Sequence, residues 1–114
     1  MTLKLTYDNA KALFNLFNEG VLLNQPRGLD ELLVMTHMVK IYKNLRDKWE
    51  GEKRKVYSLK VSVPEAIAYR IYWRDNDLSD CPYEWSFLIT HCTQIDAELN
   101  NKTRISHTNR NLLN

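Results

Sequence analysis

Residues 2–7 alternate polar and apolar side chains, with Leu3, Leu5 and Tyr7 set against Thr2, Lys4 and Thr6. This is the period of a strand with one buried face. Asp8 then stands where an N-cap belongs, ahead of a helix predicted over 9–19 that carries Ala10, Leu13, Phe14 and Phe17 on one side and stops at Gly20. Pro26 and Gly28 mark a loop. From Leu29 to about Trp49 apolar residues return every three or four positions, at Val34, Met38, Ile41, Leu45 and Trp49, which predicts a long amphipathic helix ended by Gly51. Tyr57, Leu59, Val61 and Val63 alternate with Ser58, Lys60 and Ser62 in a second predicted strand. Pro64 suits a first helical turn and opens a helix through about Trp73. A loop over 76–82 leads to a fourth helix over 83–100, and the polar stretch from Asn101, closed by Leu112 and Leu113, reads as an exposed extension.

The order strand-helix-helix thus occurs twice, and the two passages align. Residues 2–12 lie over 58–68 at an offset of 56, where Leu3/Leu59, Lys4/Lys60, Ala10/Ala66 and Ala12/Ala68 are identical. Further on, Met35-Thr36-His37 lies over Ile89-Thr90-His91 at an offset of 54, with Ile41 over Ile95 and Leu45 over Leu99. Amphipathicity explains the apolar matches but does not dictate a shared Lys or a shared Thr-His pair. The expected organisation is one domain, 1–114, made of two pseudo-repeats (2–48 and 58–102) and a polar C-terminal tail (103–114). A 50-residue unit with a lone strand leaves that strand's backbone unpaired and buries too little surface to be stable by itself. Two units solve both problems as an α+β fold, with a two-stranded antiparallel ribbon packed on four helices. Leu3, Leu5, Tyr7, Leu59, Val61 and Val63 then face the helices.

Composition narrows the function classes. At 114 residues, with 44% hydrophobic and 26% charged residues, the chain suits one ordinary globular domain and is too short for separate cofactor and substrate domains. No apolar run approaches the roughly 20 residues needed to span a bilayer. The alternating N-terminus lacks the continuous apolar stretch of a signal peptide. A cytoplasmic protein with no membrane partner is expected, its Cys81 and Cys92 being free thiols. The net charge of +2 averages a basic first half (ten Lys and Arg against seven Asp and Glu in residues 1–55) and a slightly acidic second half (six against seven).

The layout resembles the ribbon-helix-helix family of bacterial and phage DNA-binding repressors, and Ser58-Leu59-Lys60-Val61-Ser62-Val63-Pro64-Glu65-Ala66 carries the closest likeness. Those proteins pair one strand and two helices per subunit as intertwined dimers, so this chain would be a single-chain version, a pseudo-dimeric monomer able to assemble further. The resemblance implies a transcriptional regulator whose ribbon enters the major groove of double-stranded DNA. The base readers would then be Thr2, Lys4, Thr6, Ser58, Lys60 and Ser62, residue types that suit base edges. Arg27, Gly28, Lys53, Arg54 and Lys55 are the candidate phosphate contacts. The family's second helix usually begins with Gly followed by Ser or Thr, whereas this chain has Arg27-Gly28-Leu29-Asp30 and Ser79-Asp80-Cys81-Pro82, with Asp75, Asp77 and Asp80 close by. These departures keep a second function open, a non-catalytic protein-interaction module of a phage or mobile element on the same scaffold. The 50–55 linker poses a geometric question too. Six residues reach roughly 20 Å, short of a helix of roughly 30 Å, so either the second strand starts earlier, near Lys53, or the helices cross differently.

No constellation points to an enzyme or a cofactor. His37, His91 and Cys92 have no metal-ligand spacing. Cys92 falls on the stripe position of Met38 and reads as core, while Cys81 lacks the cationic surroundings of a reactive thiolate. Asp30, Glu31, Asp75, Asp77 and Asp80 read as helix-start and loop acids. Tyr69, Tyr72, Trp73, Tyr83 and Trp85 are expected in the core, with a partner-binding or base-stacking patch as the alternative. The first long helix also carries Met35, Val39 and Tyr42 where the second has Ile89, Thr93 and Asp96, which marks it as more buried or as a partner site.

Overall fold

A computed structural model describes the backbone of residues 1–113 and the side chains of residues 1–101. Strand β1 (Thr2–Thr6) leads into helix α1 (Tyr7–Glu19), a short 3-10 turn (Val21–Leu23) and helix α2 (Leu29–Glu50). Strand β2 (Val56–Lys60), helix α3 (Val63–Asp75) and helix α4 (Pro82–Leu113) follow. The chain is an α+β fold with one two-stranded antiparallel sheet and four α-helices.

The ribbon pairs Thr2 with Lys60, Leu3 with Leu59, Lys4 with Ser58, Leu5 with Tyr57 and Thr6 with Val56. Met1 and Val61 extend it by exchanging both backbone bonds, at 2.9 and 3.2 Å, and the Tyr7 N–H donates to the Lys55 carbonyl at 3.1 Å beyond the other end. Leu3, Leu5, Tyr57 and Leu59 are buried on the inner face. They meet Ala10, Leu13 and Phe17 of α1, Met38, Ile41 and Leu45 of α2, Ala66, Tyr69 and Trp73 of α3, and Leu88, Cys92 and Ile95 of α4 in one core. A ring of aromatic contacts closes the α1–α2 side, with Trp49 of α2 tilted against Tyr7 at 5.0 Å and stacked on Phe14 at 6.0 Å.

Several equivalences follow the offset of 56. Helices α1 and α3 are each 13 residues long, and their buried residues include Ala10, Leu13 and Phe17 in one, Ala66, Tyr69 and Trp73 in the other. Both are capped by the last hydroxyl before the helix: Thr6 Oγ1 accepts from the Asn9 N–H at 3.1 Å, and Ser62 Oγ from the Glu65 N–H at 3.3 Å. Asp8, expected as the first cap, instead lies in the opening turn of α1, where its charge favours the helix dipole. The helices therefore start earlier than expected, and Tyr7 and Val63 become their first residues instead of strand ends.

The long helices depart from that equivalence. Helix α2 buries Met38, Ile41 and Leu45, whereas α4 buries Phe87, Leu88, His91, Cys92 and Ile95, which at an offset of 54 starts about a turn nearer its N-terminus. The linker question is settled by the direction of α2. Asn44 donates to the Lys60 carbonyl at 3.0 Å, and the Trp49 ring lies 6.0 Å from Tyr57, so α2 runs back along β2 and its last turn lies beside Tyr57. Residues 51–55 need only turn the chain, with Lys53 Nζ resting 4.6 Å over the Tyr7 ring. Helix α4 continues through the stretch expected as an extension, to Leu113. The aromatic group divides: Tyr69, Tyr72 and Trp73 are core, while Tyr83 and Trp85 are exposed.

Leu3 and Leu59 are fully buried, so Leu3→Ala or Leu59→Ala is expected to cost about 2–5 kcal/mol in urea unfolding. Thr6→Ala and Ser62→Ala are expected to lose about 1 kcal/mol each, and equal losses in the same assay are the signature of matching caps.

Candidate functional site

In an antiparallel ladder, residues alternate between bonding inward to the partner strand and turning their backbone groups to the open edge. Because Met1 and Val61 bond to each other, the even-numbered residues of the ribbon turn their edge carbonyls away from the partner strand, and their side chains lie on the face away from the buried Leu3, Leu5, Tyr57 and Leu59. The outer face consists of Thr2, Lys4, Thr6, Val56, Ser58 and Lys60, and Lys4, Thr6, Val56 and Lys60 are exposed. The two lysines sit on opposite strands, each across from a hydroxyl residue: Lys4 from Ser58, Lys60 from Thr2. Lys4 Nζ donates to Ser58 Oγ at 2.7 Å, a pairing in which one ammonium and one hydroxyl present a joint donor and acceptor set.

Of the six candidate base readers, five lie on the ribbon and Ser62 lies just past it. The Thr6 and Ser62 hydroxyls are engaged in capping, and Ser62 also donates to Glu65 Oε2 at 2.9 Å, so Thr2, Lys4, Ser58 and Lys60 form the freer central set. Val56 is an apolar member of this face, half exposed, which the alternation of residues 57–63 did not bring in because it precedes the predicted strand.

The candidate phosphate contacts fall in two places. Lys53, Arg54 and Lys55 are exposed in the turn at the Tyr7 end of the ribbon, tied down by Lys53 on the Tyr7 ring and by the Arg54 N–H donating to the Tyr57 hydroxyl at 3.1 Å. Arg27 and Gly28 are exposed ahead of α2, where Gly28 is the N-cap. There the Glu31 carboxylate accepts from the Arg27 backbone N–H, so a negative charge already occupies that end of the helix. The first turn of α4 begins with Pro82, which has no N–H to offer an anion. Asp77 just before it accepts from the Ser79 N–H, a bond that holds its carboxyl below the usual range.

Sequence reasoning missed the residues that hold the open edges of the two strands. His91 Nε2 lies 2.9 Å from the Lys4 carbonyl, and Gln94 Nε2 donates to the Thr2 carbonyl at 2.8 Å, so α4 closes the open edge of β1. Asn44 performs the same task for Lys60 from α2. A carbonyl only accepts, so the His91 proton sits on Nε2, and Nδ1 must accept from the Tyr69 hydroxyl 2.8 Å away. His91 is only 3% exposed, and burial holds its pKa below the ordinary value, partly opposed by the Lys4 carbonyl. Burial pushes the Tyr69 phenol well up, helped by Cys92, and raises the Cys92 thiol. Arg70 clamps the same region by donating to Asp96 at 3.0 Å between α3 and α4, which raises its own pKa. His37, aligned with His91 in the sequence, has no such role: its Nδ1 is buried without a partner.

Among the described residues no group of three His, Cys, Asp or Glu side chains is placed to hold a metal ion, and no helix is long and apolar enough to cross a membrane. Cys81 and Cys92 are free. Comparison with protein-family models, with curated proteins and with solved structures finds no match to this chain.

The His91 network has a pH signature. The folded pKa lies below the unfolded value of about 6.5, so as pH falls the unfolded chain binds the proton first and stability decreases. The contribution is complete above about 6.5 and is lost as pH falls towards the folded value. Urea unfolding between neutral and mildly acidic pH is expected to show this loss in the wild type, and His91→Gln is expected to flatten it at a lower overall stability.

Proposed function

We propose that this chain is a single-chain ribbon-helix-helix DNA-binding regulator, in which residues 2–48 and 58–102 are two copies of one strand-helix-helix unit. The polar face of its ribbon reads base edges in the major groove. The observation that carries the reading is the register. Exchanging each residue for its counterpart 56 positions away turns the pair Thr2–Lys60 into Ser58–Lys4 and leaves Leu3–Leu59 on itself. That is the relation a twofold axis through Leu3 and Leu59 would impose. It presents one lysine and one hydroxyl residue twice in opposite directions, a match for the two halves of a pseudo-palindromic site. Lys4 and Lys60 donate to guanine O6 and N7, Ser58 donates or accepts, and Thr2 adds its methyl group for thymine. Lys53, Arg54 and Lys55 neutralise phosphates flanking the groove and make affinity fall with salt. No catalytic step and no cofactor belong to this function.

The second reading is a protein-interaction module on the same scaffold, and a specific observation favours it. The family's phosphate clamp at the start of the second helix is replaced by Glu31 in one half and by Pro82 in the other. The two readings separate in solution. Fluorescence anisotropy at low salt with fragmented genomic DNA is expected to show binding that weakens steeply as salt rises. Lys4→Ala and Lys60→Ala are each expected to weaken selected sites about tenfold or more. Lys53→Ala with Lys55→Ala is expected to weaken all sequences alike and lower the salt slope. No binding at low salt, or binding untouched by the Lys4→Ala and Lys60→Ala pair, sinks the ribbon-reading function.

A further inference from the structure

The bond from Asn44 to the Lys60 carbonyl fixes which face of α2 lies along the open edge of β2. Residues four apart on a helix stack in one row, so Lys40 and Lys48 share the row of Asn44, one turn to either side of it. The two lysines stand about 12 Å apart along the axis, with Lys60 of the ribbon beside the middle of the row. Because α2 runs antiparallel to β2, Lys48 lies towards Ser58 and Lys40 towards Ser62. Lys40 is exposed and Lys48 half-buried, and past Lys48 the chain enters the turn that exposes Lys53, Arg54 and Lys55.

Folding does not account for this charge. Cations favour the last turn of a helix through its dipole, which covers Lys48 but not Lys40, ten residues before the end of α2. Residues 40–55 carry seven Lys and Arg against Asp47, Glu50 and Glu52. Among the described residues the ion pairs are Arg70–Asp96 and Arg74–Asp75, so neither Lys40 nor Lys48 is neutralised. The other edge of the ribbon gives the contrast. Where α4 closes β1, the row through Gln94 is Thr90, Gln94 and Glu98, without a cation. Closing a strand edge therefore needs no lysines beside the residue that does it.

We propose that Lys40 and Lys48 bind the phosphate backbone of DNA alongside β2, in place of the helix-start clamps that Glu31 and Pro82 weaken. The inference rests on the DNA reading of the ribbon. An ammonium on a flexible four-carbon stem meets a phosphate as a point charge, so this flank adds affinity without sequence preference. The backbone on the α4 side meets no such row, and the two halves of a pseudo-palindromic site are gripped unequally.

Fluorescence anisotropy of the full chain with fragmented genomic DNA, read across a salt series, tests this. Lys40→Gln with Lys48→Gln is expected to weaken binding to every fragment about tenfold or more and to lower the salt slope by about 2. Lys40→Arg with Lys48→Arg keeps the charge and is expected to keep the slope, and both double variants are expected to melt with the wild type. Lys11→Gln with Lys43→Gln, exposed residues opposite the buried faces of α1 and α2, is expected to leave the slope unchanged. A loss from this control pair as large as that from Lys40 and Lys48 overturns the inference. So does binding that falls with Lys4→Ala and Lys60→Ala but not with Lys40→Gln and Lys48→Gln, a result that leaves the ribbon reading standing. A wild type that binds no DNA at low salt removes both.

Discussion

Among the described residues neither strand has a second neighbour. The backbone polar groups of five residues in β1 and five in β2 are satisfied along one side only by each other, and leaving them unpaired in a dry interior is not an option the chain has. Pairing forces the rest. With Leu3 opposite Leu59 and Leu5 opposite Tyr57, all four large apolar side chains fall on the same face, and only four helices from both ends of the sequence can cover them. The strand ends become the helix caps, Thr6 for α1 and Ser62 for α3. The open edges are closed by polar side chains reaching out of α2 and α4. Lys4 and Lys60 are displayed as a consequence of where the leucines next to them must go.

Much of this was legible in the amino-acid order. Period-two alternation identified the inner face of each strand, and the three- and four-residue spacing of Met38, Ile41 and Leu45 identified the buried stripe of α2, because burial on one face leaves a record in every turn. The cap of α1 was misread because Asp8 and Thr6 are both good capping residues and only the backbone path distinguishes them. The direction of α2 along β2 was open for a related reason: it rests on Asn44 and Trp49 finding partners in β2, and periodicity carries no information on which surface a stripe meets. His91 is the clearest case. A histidine next to a core cysteine in a helix looks like an ordinary edge residue until a strand 87 positions earlier turns a carbonyl towards it.

The same limits apply to the candidate site. Lys4 and Lys60 stood out because an identical residue recurred in the same strand position, a regularity that packing alone does not require. Gln94 and Asn44 carried no mark, since they touch only backbone, and a backbone acceptor is available at every residue. The starts of α2 and α4 differ in what they offer an anion. Glu31 places a negative charge at the start of α2 and Pro82 leaves the start of α4 one N–H short, while the outer face of the ribbon carries Lys4 and Lys60.

The separation of the two strands in the chain has a kinetic meaning. Forty-nine residues, Tyr7 to Lys55, lie between the end of β1 and the start of β2. Closing a loop of that length costs about 2 kcal/mol more in chain entropy than closing a four-residue hairpin. The ladder therefore cannot nucleate folding as a hairpin does. Helices α1 and α2, joined by the Phe14, Tyr42 and Trp49 rings, are the local structure able to form first and to bring the start of β2 within reach of β1. During synthesis β1 emerges long before its partner, so its apolar face has to be sheltered against α1 and α2 or left exposed until residue 60 has left the ribosome. During synthesis the sheet can close only after α1 and α2 have been made and before α3 and α4 are, although all four helices are arranged around it.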